Sequence, residues 1–168
     1  MKRFAVLACA LALTACGVAP TATPRAASAV ATREAAAGGF HDLHNKPISL
    51  AAFKGKPIVL SFLEPGTHDS EAQLPILIRL ADAYDAQGVV FVMAGENASQ
   101  QALKDYVEIH DLAFNVWEDR TAAEWRKRDF ARVPAHEFRL KDGQVWEAFD
   151  GFMTRGQMTA AIEGLLGR

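Results

Sequence analysis

Ile58-Val59-Leu60-Ser61-Phe62-Leu63-Glu64-Pro65-Gly66-Thr67-His68-Asp69-Ser70-Glu71-Ala72-Gln73-Leu74-Pro75 changes its hydrophobic period once, and that change decides the fold. Ile58 to Leu63 is an almost unbroken apolar run, the pattern of a strand buried on both faces of a parallel sheet. From about Asp69 to Ala86 the period is helical instead: Leu74, Leu77, Ile78, Ala81 and Tyr84 recur at three-to-four spacing, and Gly88 stops the helix. The same alternation continues downstream. Val89 to Ala94 reads as a second buried strand, Ala98 to His110 as a helix, Phe114 to Trp117 as a short strand and Ala122 to Phe130 as a short helix. His136 to Lys141 and Gln144 to Phe149 flank Asp142-Gly143, a strong hairpin signal, and Arg155 to Leu166 forms a closing helix. Upstream, Ile48 to Leu50 is a short apolar run after a turn-like His44-Asn45-Lys46-Pro47. Alternating strands and helices closed by a hairpin predict an α/β domain, a central mixed sheet with helices on both faces.

The chain has 168 residues with 18 Lys and Arg against 20 Asp and Glu, a net charge of −2, and half of its residues are apolar. That fits one globular domain and offers no basic footprint for nucleic acid. Its two cysteines, Cys9 and Cys16, both lie in the first sixteen residues. No C-x-x-C, zinc cluster or internal disulfide can be assembled from the remainder.

Lys2 and Arg3 precede the apolar Phe4 to Leu13, an export signal too short to span a membrane as a mature helix. Leu13-Thr14-Ala15-Cys16 resembles the bacterial lipobox. That resemblance implies cleavage after residues 1–15, lipidation of Cys16 and a membrane anchor. An ordinary signal peptide would leave Cys16 incidental. Residues 16–39 are rich in Ala, Thr and Pro, a tether too poor in large apolar side chains to fold, and the domain is expected over 40–168. Gly17 rather than Asp after Cys16 is compatible with an outer-membrane lipoprotein facing the periplasm in a Gram-negative cell, the inner membrane being the other destination.

From residue 40 onward the pattern resembles the thioredoxin-like fold, in the TlpA-like and redoxin branch related to AhpC/TSA proteins. The resemblance rests on Asp42 to Leu50 followed by Phe53-Lys54-Gly55-Lys56-Pro57-Ile58, similar to that branch's opening hairpin and Lys-Gly-Lys-Pro lead into the first central strand. Pro75 matches the proline five residues after the second cysteine of the family's C-x-x-C. Counting back places Thr67 and Ser70 where the cysteines stand, and Val133-Pro134 matches the segment with the family's cis-proline. Thr67-His68-Asp69-Ser70 thus replaces the dithiol. A thiolate is accessible because the cysteine pKa of ~8.5 falls readily at a helix N-terminus. A hydroxyl less acidic than the tyrosine phenol at ~10 would need more than ~4 kcal/mol to ionise at neutral pH, and a helix N-terminus supplies at most about 2 kcal/mol. No cofactor is expected.

Other roles for these residues weigh less. A Ser–His–Asp hydrolase built from Ser70, His68 and Asp69 is disfavoured because sequence neighbours on a first helical turn rarely face one another. Ser70-Glu71-Ala72-Gln73 reads more simply as a capping box. His68 and His136, with Asp69 or Glu64, are candidates for a divalent metal, whereas His41 and His44 lie on a turn and are not. Arg126-Lys127-Arg128 is read as a solvated helix face rather than a headgroup contact. Trp117, Trp125 and Trp146 are core or rim aromatics unless one is exposed beside Pro134, where it would mark a groove for an extended peptide. The leading expectation is an envelope lipoprotein without a redox centre, binding or scaffolding another envelope protein or an extended polypeptide. The alternative is a divergent member of the thiol–disulfide oxidoreductases of that branch.

Overall fold

The structure is a computed structural model and describes residues 39–168. The expected signal, Cys16 and tether therefore lie outside the described residues, apart from Gly39. Strand β1 is His41–Asp42, β2 Ile58–Leu63, β3 Val90–Gly95, β4 Asn115–Glu118, β5 Ala135–Arg139 and β6 Val145–Asp150. Helix α1 is His68–Tyr84, α2 Gln100–His110, α3 Ala123–Arg126 and α4 Arg155–Leu165. The six strands form one mixed sheet in the order β1-β4-β3-β2-β5-β6. β2, β3 and β4 run parallel, joined by crossovers through α1 and α2, and β5, β6 and β1 pair antiparallel. The α/β expectation holds.

β2 is wholly buried, as its unbroken apolar run requires. Its alternate side chains feed two cores. Val59 and Leu63 join Leu74, Leu77, Leu80, Leu103, Met158 and Ile162 from α1, α2 and α4. Ile58, Leu60 and Phe62 meet Phe40, Trp117, Trp125 and Phe130 on the other face. That second face is covered by the N-terminal segment, the turn at Leu50–Phe53 and the single turn of α3, a thinner layer than the three helices opposite. Gly95 permits the close approach of α2, since a Cβ there would lie 2.3 Å from a Leu103 methyl. Gly88, at φ 74°, ends the α1 segment in the left-handed conformation as expected.

The apolar run Ile48 to Leu50 leads into a 3₁₀ turn, and the edge strand β1 is the polar His41–Asp42, paired with Trp117 and Glu118. Two local expectations are corrected. The helix expected over Ala122 to Phe130 is only four residues long. A capping box does not start α1; the box belongs to α4, where Thr154 and Gln157 satisfy each other's backbone.

Candidate functional site

The turn Glu64 to Ser70 leaves the carboxyl end of β2 and opens α1. Ser70 is fully buried, and its Oγ accepts from the Glu64 backbone N–H at 3.1 Å. Thr67 is the N-cap, but its hydroxyl donates backwards to the Glu64 carbonyl at 2.8 Å instead of capping the helix. Glu71 Oε1 accepts from the Gly66 N–H at 2.8 Å and from the Tyr106 hydroxyl at 3.0 Å. Burial, together with that carboxylate, pushes the Tyr106 phenol well above its ordinary value. Thr67 and Ser70 therefore both use their hydroxyls to lock the turn to itself.

Pro134 completes the frame. The Val133–Pro134 peptide is cis, as the resemblance implied. Pairing of Phe62 with Ala135 brings Pro134 to the end of β2 where the turn begins. The Gly151 N–H donates to the Pro134 carbonyl at 2.7 Å, and the next residue, Phe152, is 38% exposed. An exposed aromatic thus lies near Pro134, but it is not a tryptophan. Trp117 is core, Trp125 packs on Phe62, and the exposed Trp146 lies near the opposite end of β6, beside the start of that strand.

The histidine readings fail on burial. His68 is exposed on the first turn of α1, whereas His136 is fully buried on β5, its Nδ1 2.9 Å from Ser61 Oγ. Among the described residues no three His, Cys, Asp or Glu side chains gather as a metal set, so His68, His136, Asp69 and Glu64 do not form the proposed one. Nor does Ser70 meet His68 as a nucleophile would need, because its hydroxyl is engaged by backbone and sealed from solvent. Burial lowers the His136 pKa from 6.5 to about 3. Its ring is therefore expected to stay neutral when followed by NMR from pH 8 down to about pH 4; a protonation midpoint near 6 would contradict that burial.

One feature escaped the sequence reading. Each parallel strand ends in acid: Glu64 follows β2, Glu96 follows β3, and Glu118 and Asp119 close β4. The carboxyl edge of a parallel sheet is where ligands of α/β folds usually sit. Glu96 is 4% exposed and its Oε1 has no hydrogen-bond partner. Burial, with the Asp119 carboxylate beside it and Glu64 nearby, raises its pKa from 4.5 to about 8. Asp119 is occupied at both oxygens, accepting from the Ala123 and Trp125 N–H groups at 3.0 and 2.8 Å. The regular recurrence of an acid after each apolar strand was the available signal. The edge can hold a proton near neutral pH, but it supplies no sulfur nucleophile.

Similarity to known proteins agrees with this frame. The AhpC/TSA family matches residues 25–145. The thiol-disulfide oxidoreductase ResA of Bacillus thuringiensis subsp. konkukian is 28% identical over 117 residues, 70% of this chain and 68% of the relative. A secreted Mycobacterium tuberculosis disulfide oxidoreductase homologous to E. coli DsbE superposes with a TM-score of 0.64 at 25% identity, covering 73% of this chain and 92% of that one. A putative thioredoxin from Neisseria meningitidis, 20% identical, shares the fold with a TM-score of 0.68 over 78% of this chain and 90% of its own. With its mixed sheet, its helix-opening turn and Pro134 all in place, the chain belongs to the AhpC/TSA family and has the thioredoxin-like fold.

Proposed function

We propose that this chain is a divergent member of the TlpA-like redoxin branch of thiol–disulfide oxidoreductases, one that keeps the docking frame and has lost the thiols. Its similarity to ResA and to the secreted disulfide oxidoreductase supports that descent, and lends nothing to the scaffold that the sequence alone favoured. The observation that carries the reading is Ser70, which occupies the second cysteine position with its hydroxyl buried against the Glu64 backbone. Neither Thr67 nor Ser70 can form a disulfide, so both sulfurs of any exchange at this site must come from partner polypeptides. What the chain contributes is binding of such a polypeptide beside Pro134 and Phe152. Export fits the secreted relative, and we place the anchor at Cys16, with residues 17–39 as tether.

Insulin reduction with dithiothreitol as the reductant tests this. The native protein is expected to give no acceleration, and Thr67→Cys/Ser70→Cys to form an intramolecular disulfide and raise the rate by about tenfold or more, because the helix N-terminus that activates a thiolate is intact. Turnover by the native protein would overturn the reading. So would a folded double variant that cannot close its disulfide.

A further inference from the structure

At the opposite end of β2 from the Thr67–Ser70 turn, roughly 17 Å away at ~3.3 Å per residue, a cavity of about 580 Å³ opens on the thinner face of the sheet. That volume is in the range of small-molecule sites, about 300–1,000 Å³. Its apolar side includes Ile48, Leu50 and Phe53, the last stacked on Trp117 at 5.7 Å between ring centres. Its lining carries six cations, Lys54, Lys56, Lys127, Arg128, Arg139 and Lys141, against two acids, Glu124 and Asp142. Residues 39–168 hold only fourteen Lys and Arg against nineteen Asp and Glu. A net-acidic domain thus gathers nearly half of its cations around one cavity.

Three of those charges have partners: Lys127 with Glu124, Arg128 with Glu124 and Glu137, and Arg139 with Glu137 through Nη1 and with the Gly143 carbonyl. Lys54, Lys56 and Lys141 have no carboxylate within 4.0 Å among the described residues, and all three are exposed. Their backbones are held together, with the Gly55 N–H donating to the Lys141 carbonyl at 2.9 Å. Three like charges that line one cavity without carboxylate partners repel one another unless an anion joins them. The adjacent apolar wall adds a second demand, for a ligand with a hydrocarbon body.

We propose that this cavity binds an anionic amphiphile, a carboxylate or phosphate head at Lys54, Lys56 and Lys141 with its apolar body along Ile48, Leu50 and Phe53. The same chemistry is met in a free fatty acid and in an anionic membrane lipid. The site is separate from the redox-site frame and does not depend on its reading.

Decanoate binding measured by displacement of anilinonaphthalene sulfonate, with decanol as the neutral match, tests the head and body together. Decanoate is expected to bind and decanol to bind at least about tenfold more weakly, as a lost charge-assisted contact implies. Lys54→Glu/Lys56→Glu/Lys141→Glu is expected to abolish decanoate binding, and Ala51→Trp, which narrows the cavity without changing charge, to weaken it. Arg79→Glu on the exposed face of α1 serves as control. Sedimentation with phosphatidylglycerol and with phosphatidylcholine vesicles separates the sources: retention on the first alone, lost in the triple variant, assigns a membrane lipid, and decanoate binding without retention assigns a free acid. Equal affinity for decanol and decanoate, unchanged decanoate binding in the folded triple variant, or no binding of decanoate or vesicles overturns the proposal.

Discussion

Replacing Glu96 by Gln is expected to stabilise the protein at pH 8 to 9 and to remove most of its loss of stability on going from weakly acid to alkaline solution. In the unfolded chain Glu96 ionises around 4.5, and in the fold only around 8. Between those values the native state holds a proton that the unfolded state has released. Stability therefore falls as pH rises through this window, with a slope of ~1.4 kcal/mol per pH unit for one such group. The full effect is a few kcal/mol, of the order of a third of a typical domain's stability of ~5–15 kcal/mol. Gln keeps the shape and a neutral side chain, so its cost at low pH is small. Asp119, Glu64 and Arg126 act on Glu96 and remain in the variant, which isolates the titration of Glu96 itself. His136 tilts the curve the other way, since its folded pKa near 3 makes stability fall as pH drops below 6.5. Urea unfolding from pH 5 to 9 measures the effect. A parallel curve for Glu96→Gln and native protein would mean Glu96 ionises normally in the fold.

The second large effect is expected at Arg128. Arg128→Ala should destabilise the domain by about 3–5 kcal/mol, the cost of leaving a buried charge without its partner. Its guanidinium is half-buried over the rings of Phe40 and Phe62, at 5.7 and 5.3 Å from their centres. It pairs with Glu137 on β5 and bonds Glu124 on α3 at 2.9 Å. Burial opposes its charge, but the two carboxylates outweigh that and hold its pKa above the ordinary arginine value. Glu137 is 3% exposed. Removing Arg128 therefore leaves Glu137 Oε2 without its partner, and only Oε1 keeps an ion pair, with Arg139 at 2.9 Å. Lys at position 128 keeps the charge but not the planar fork, so an intermediate loss is expected. Thermal and urea unfolding of both variants decide it, and a loss under about 1 kcal/mol for Arg128→Ala would class the contact with surface ion pairs.

Arg128 also shows where sequence reading ran out. Arg126-Lys127-Arg128 looks like a solvated run because neighbouring charges on a helix usually face water. α3 is only one turn long, however, and the chain that follows turns Arg128 inward to Glu137, nine positions further on. Such a contact depends on where β5 returns in the sheet. The same holds for His136, whose burial follows from its place in the register opposite Ser61. By contrast the strands β2 and β3, helix α1 and the closing hairpin were legible because each is fixed by its own period or turn residues.

The sequence by itself determined the order of the central strands and helices and the lack of any cysteine after Cys16, since periodicity and composition are local properties of the chain, and it carried the thioredoxin-like plan as a resemblance of motifs. Only the tertiary structure decided that Ser70 is sealed against the Glu64 backbone, that His68 is exposed while His136 is buried, that Glu96 lies beside Asp119, and that Lys54, Lys56 and Lys141 line one cavity. Those are pairings between residues distant in sequence or the burial of single side chains. They follow from strand register and the packing of one layer on another, which set charge states and accessible surfaces that no local pattern encodes.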